Sequence, residues 1–179
     1  MAALDGPGPP GRVQPLRPEP LLAVLDAHRV DFIVVGGYAV AAHGFPRATK
    51  DIDICPDPNP KNLARLADAL SALDAEPLGL DDFLPGEFEL RPDLEGLGAG
   101  GNWVLATRYG RLDLMQHLDG LGEHGGGWEE LRPKATRRSF LGHQCFFCGY
   151  EDLIAMKSAA DRAQDRVDVA TLRAARHER

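Results

Sequence analysis

Apolar residues recur at helical spacing over 20–29, where Leu21, Leu22, Val24 and Leu25 follow a proline in the first turn. The next apolar run, Phe32-Ile33-Val34-Val35, is short, β-branched and stopped by Gly36-Gly37, which reads as a buried strand. Residues 38–43 resume as an Ala-rich helix that Gly44, Phe45 and Pro46 end. Residues 50–55 then alternate polar and apolar side chains, the period of a strand with one wet and one buried face. Pro56 and Pro58 end it. Asn59 is placed to cap a helix from 60 to about 73, with Leu63, Leu66, Ala67 and Leu70 on one face.

Residues 74–100 are rich in Gly, Pro and acids, and the one short strand they predict is 88–90. Beyond them, 103–107 and 111–116 read as a hairpin turning at Tyr109-Gly110. A Gly-rich loop covers 118–127. A second hairpin is expected over 139–141 and 144–147, turning at Gly142-His143, and helices at about 150–160 and 164–175 close the chain. No internal repeat is visible. This order predicts an α/β or α+β domain: a small mixed β-sheet flanked by helices.

Composition narrows the picture. Residues 1–18 are crowded with Pro and Gly and read as a disordered arm. Residues 19–179 then form a single domain, with a core over 19–148 and a helical part over 149–179. The 179 residues suit one domain. The 44% hydrophobic and 7% aromatic content implies a core built from Leu, Val, Ile and Ala. A formal charge of -7 argues against binding nucleic acid through a broad basic surface, while leaving room for a local basic groove. No apolar stretch is long enough to span a membrane, and no signal peptide is evident. Cys55, Cys145 and Cys148 make a poor disulfide framework, so a cytoplasmic setting is expected.

The chemistry concentrates in the first half. A strand, Gly36-Gly37 and a helix make a seat for an anion: glycines admit close approach, and a helix start offers free N–H groups. A plain tight turn is the competing reading. Asp51 and Asp53 stand two apart on a strand and share a face. Two such carboxylates repel unless a cation sits between them, and Mg²⁺ takes oxygen ligands of this kind. A solvated edge bearing two surface acids is the alternative. Arg47 and Thr49, just upstream, carry groups that bind phosphate oxygens. Asp113, polar between apolar neighbours on a later strand, joins the pair if that strand lies beside 51–53. Three carboxylates around one or two Mg²⁺ (or Mn²⁺) ions can align a hydroxyl for in-line attack on an α-phosphate, with Asp113 assisting its deprotonation.

Gly36-Gly37, a short helix, Arg47-x-Thr49-x-Asp51-x-Asp53 and a later Asp113 resemble the DNA polymerase β-like nucleotidyltransferase superfamily. Within it, residues 34–53 look like the AbiEii/MenT-type branch, many of whose members are toxins of toxin–antitoxin pairs. Residues 151–157 and 162–168 fit the helical tail of that branch, and the resemblance spans about 20–175. It implies a polymerase β-like core with C-terminal helices, an NTP such as ATP as substrate, and Mg²⁺ at Asp51, Asp53 and Asp113. It also implies that Lys157 contacts nucleotide phosphates and that Asp165 positions it or the acceptor. Unaided, the sequence puts Lys157 on the apolar face of its helix, where it wants an anionic partner; a structural Lys–Asp pair joining two helices is the competing reading.

The resemblance leaves the acceptor open. A tRNA 3′ end, with a cognate antitoxin as partner, would need a basic groove, for which Arg132, Lys134, Arg137, Arg138, Arg173, Arg176 and Arg179 are available. Aminoglycoside and lincosamide nucleotidyltransferases share the Gly-Gly and Asp-x-Asp arrangement, so a small molecule is the second class, and protein hydroxyls are the third. A non-catalytic nucleotide-binding module is the reading of another class, and the presence of all three carboxylates speaks against it. Cys145-Phe146-Phe147-Cys148 with His143 falls short of the four ligands of a zinc site.

Overall fold

The computed structural model describes residues 14–78 and 91–177. Most of the arm read over 1–18, and the strand expected at 88–90, lie outside them. Leu16 and Arg17 are described: the Arg17 N–H donates to Tyr109 O at 2.8 Å, which lays this segment along the turn at Gly110.

Pro18 opens helix α1 (Pro18–Ala27), where its missing N–H costs nothing. Leu21, Leu22 and Leu25 are its buried face. Strand β1 (Phe32–Val34) follows, then helix α2 (Gly36–Ala42), strand β2 (Asp51–Pro56) and helix α3 (Pro60–Ala72). The Asn59 side chain caps α3 by accepting from the Lys61 N–H at 3.0 Å, as its type predicts. Pro56 closes β2 from within instead of standing beyond it. Residues 74–100 hold two elements the sequence pattern does not show, strand β3 (Glu76–Pro77) and helix α4 (Leu94–Gly98). Both are too short to develop a period.

The first hairpin is strands β4 (Asn102–Thr107) and β5 (Gly110–Met115). Helix α5 (Trp128–Leu131) and a 3₁₀ turn lead into the second, strands β6 (Thr136–Phe140) and β7 (His143–Phe147). This hairpin is longer than expected and turns at Leu141-Gly142, not Gly142-His143. Both turn residues have positive φ, 49° and 83°, the conformation two-residue hairpin turns demand. The charges of Arg137 and Arg138 mask β6 in the sequence; it is an exposed sheet edge, where such side chains belong. Helices α6 (Tyr150–Ala160) and α7 (Ala163–His177) close the fold.

Among the described residues one mixed sheet of seven strands, in the order β3-β4-β5-β2-β1-β7-β6, organises the fold. β2 lies at its centre, antiparallel to β1 and parallel to β5. Helix α1 packs on α3 and β7, while α2 packs on β2 and α6, and α6 on α7. Ile52 and Ile54 of β2 are fully buried; the alternate positions, Asp51 and Asp53, look the other way, toward α2. No described helix is long and apolar enough to cross a membrane.

Candidate active site

The parallel pairing of β2 with β5 sets Asp53 beside Asp113 and Asp51 beside Arg111. Alternate strand residues share a face, so the three acids converge, and one oxygen from each lies within 4.8 Å of the other two. Among the described residues no cation reaches Asp53 at ion-pair distance. Burial, and then the charges of Asp51 and Asp113, push its carboxyl up from 3.8 to about 7, against the pull of Lys157 and Arg111. Burial raises Asp113 as well, while Arg111 draws it back. The Arg111 fork grips Asp113, with Nε at 2.7 Å and Nη2 at 2.6 Å, and its Nε stands 3.8 Å from Asp51. A crowded set of hard oxygen donors, short of positive charge, suits Mg²⁺ or Mn²⁺.

The glycine pair is the first turn of α2 itself and not a turn before it. Gly36 has φ +61°, and a Cβ there would stand 1.9 Å from Asp53 Oδ2. A Cβ on Gly37 would meet Thr49 Oγ1 at 2.8 Å and Arg47 Nη2 at 3.2 Å. Side chains at 36 and 37 would therefore push the helix start away from the acids. Backbone closes the same corner: the Val35 N–H donates to Asp53 O at 3.0 Å.

Thr49 Oγ1 donates to Asp51 Oδ1 at 3.0 Å. Arg47, expected to reach phosphate, places Nε and Nη2 on Asp168 at 2.9 and 3.0 Å. Lys157 is buried between Asp165 Oδ1 at 2.8 Å and Asp168 Oδ2 at 2.7 Å. The ion pair joining α6 and α7 is therefore present, and the same ammonium lies near enough to Asp53 to lower its pKa.

Sequence reasoning missed Arg111, Asp168 and Tyr38 as neighbours of this site. The signal for Asp168 is its place three residues after Asp165, on the same side of α7. Arg111 stands two before Asp113 and shares its strand face. The Tyr38 hydroxyl is raised by burial and then by the Asp51 charge, and its ring meets Phe140 edge-on at 5.0 Å.

No family model matches the chain, and no curated protein does. Solved structures do. The lincosamide antibiotic adenylyltransferase LnuA, bound to lincomycin, superposes with a TM-score of 0.59 at 14% identity over 89% of this chain and 98% of that one. ANT(2″)-Ia in complex with adenylyl-2″-tobramycin gives 0.53 at 15% identity over 85% and 82%. The solution structure of the antibiotic-resistance factor ANT(2″)-Ia gives 0.50 at 15% identity over 88% of each chain. The fold is one that nucleotidyltransferases share.

On this nucleotidyltransferase fold the remaining residues of interest scatter. Cys145 and Cys148 are free and buried. Among the described residues the three acids are the one His/Cys/Asp/Glu group with metal-holding spacing. Among the described residues the basic side chains do not form one free groove. Lys134 pairs with Asp152 at 2.7 Å, Arg176 pairs with Glu151, and Arg132 lies over the Phe146 ring at 4.2 Å. Arg137 and Arg138 are exposed on β6, and Arg179 is outside the described residues.

Proposed function

We propose that the chain is a metal-dependent nucleotidyltransferase that moves a nucleoside monophosphate from an NTP to a hydroxyl acceptor and releases pyrophosphate. The observation that carries this reading is the meeting of Asp51, Asp53 and Asp113 within 4.8 Å, against a glycine pair at a helix start. In this reading those three residues hold Mg²⁺ or Mn²⁺, which when bound offsets charge on the α-phosphate and the departing pyrophosphate. Gly36, Gly37, Thr49, Arg47 and Lys157 border the triphosphate. Asp113 accepts the proton of the attacking hydroxyl, and Asp165 holds Lys157 in place.

A small hydroxylated acceptor is supported by the neighbours solved with lincomycin and with adenylyl-2″-tobramycin. A toxin reading, with a tRNA 3′ end as acceptor and a cognate antitoxin as partner, is supported by residues 34–53 and by the exposed arginines of β6. A protein hydroxyl completes the set of acceptors. The test is to incubate the protein with Mg²⁺ and each labelled NTP, offering lincomycin, tobramycin, total tRNA and protein extract in turn. Label should pass to one acceptor class and not with Asp53→Ala. A wild type that transfers nothing and binds no Mg-NTP would sink the enzyme reading.

A further inference from the structure

Asp168 has no task in the reading above, yet it is the most heavily contacted acid of the site. It lies on α7 with a side chain 3% exposed. Oδ1 accepts from Arg47 Nε at 2.9 Å and Gln164 Nε2 at 3.0 Å; Oδ2 accepts from Arg47 Nη2 at 3.0 Å and meets Lys157 Nζ at 2.7 Å. Burial works against its charge, but the bonds from Lys157, Gln164 and Arg47 outweigh burial and hold its pKa below the ordinary value. The two cations come from different elements, the segment before β2 and helix α6. Arg47 Nη2 lies beside Gly37 at the start of α2, and Lys157 acts on Asp53.

We propose that Asp168 is a positioning residue that fixes Arg47 and Lys157 as a preset pair of cations for the triphosphate, so that the last helix governs nucleotide binding. This rests on the nucleotidyl-transfer reading. Two roles for Asp168 differ in sign. As a mere neighbouring anion it repels the triphosphate, and neutralising it tightens Mg-NTP binding. As a positioning residue its neutralisation frees both cations to wander, and binding weakens despite the more positive site.

The experiment is calorimetric binding of each of the four Mg-NTPs to the full chain, with Mn²⁺ binding measured separately without nucleotide. Asp168→Asn should weaken the preferred Mg-NTP about tenfold to a hundredfold, raise KM more than it lowers kcat, and leave Mn²⁺ binding nearly unchanged. Arg47→Met, which leaves the Lys157–Asp168 contact in place, should reproduce part of the loss, and the double variant should be no worse than Asp168→Asn alone. Equal or tighter Mg-NTP binding by Asp168→Asn overturns the proposal, and so does a neutral Arg47→Met. A wild type that binds Mn²⁺ but no NTP overturns this proposal and the nucleotidyl-transfer reading together. A wild type that binds Mg-NTP beside an unaffected Asp168→Asn overturns this proposal alone.

Discussion

Two clusters of charge adjoin each other in this molecule and are balanced in opposite ways. Asp51, Asp53 and Asp113 face one another, and among the described residues only Arg111 pairs with them. Asp165 and Asp168 face two cations, Lys157 and Arg47. The first cluster keeps an excess of negative charge and a carboxyl raised to about 7. The second is neutral and hydrogen-bonded throughout, with Lys157, Asp165 and Asp168 buried and Arg47 part-exposed. An excess of like charge costs stability and is useful only where a cation is to be bound. A balanced network holds its groups in place and draws in no metal cation.

The largest effects should come from removing one member of each cluster, and stability is the property on which they should differ. Asp53→Ala should abolish label transfer by about four orders of magnitude or more, over ~5 kcal/mol of barrier, without lowering Tm. Lys157→Met should weaken Mg-NTP binding and lower stability as well. It leaves Asp165 without its cation and Asp168 with Arg47 alone, a loss of about 3–5 kcal/mol, seen as a Tm drop of roughly 10 °C. If Lys157→Met unfolds no earlier than wild type, the second cluster is not the brace described here.

The first cluster was legible in the sequence because each of its signals is local. The alternation at 50–55 put Asp51 and Asp53 on one wet face, and the same alternation picked out Asp113. What the sequence lacked was adjacency: only the parallel β2–β5 pairing shows that Asp113 stands beside Asp53. The second cluster was half legible. Lys157 announced itself as a cation on an apolar helix face in want of an anion, and a Lys–Asp pair joining two helices was one reading of it. Arg47 meets Asp168 across 121 positions, and no spacing rule spans that distance. The Gly-Gly pair was read as a phosphate seat, while the clash distances at Gly36 and Gly37 add a prior reason: without them the acids and the helix start could not approach.

The raised Asp53 carboxyl gives the next prediction. Between its unfolded value near 4 and its folded value of about 7, the folded metal-free chain holds a proton that the unfolded chain has released. Its contribution to stability is therefore full below the ordinary carboxylate range and lost as pH rises to about 7. Asp53→Asn should remove that slope and stabilise the metal-free protein at about pH 8, by no more than ~4 kcal/mol. Because a ligand carboxylate must shed its proton first, Mn²⁺ affinity should fall as pH drops through about 7. The Tm gain from Mg²⁺ should accordingly grow as pH rises. A stabilisation by Asp53→Asn that is equal at pH 5 and pH 8 would contradict the account of the first cluster.

The smallest expected effect tests what separates the clusters from an ordinary ion pair. Arg108 and Asp74 meet at 2.6 Å, the same separation as Arg111 and Asp113, but their side chains are 47% and 61% exposed against 37% and 8%. Asp74 has φ +50°, a conformation that Asn also tolerates, so Asp74→Asn removes the charge and spares the backbone. The Arg108 N–H still donates to Leu73 O at 3.0 Å in the variant, so the turn keeps its anchor. The change should cost at most about 1 kcal/mol, a shift of roughly 2–4 °C, and should vanish in about 0.5 M salt, where surface charges are screened. Arg111→Met should instead survive the same salt, because Asp113 is buried and screened far less. If both variants respond alike to salt, distance alone ranks these contacts. If they part, burial of the acid decides which pairs this fold depends on.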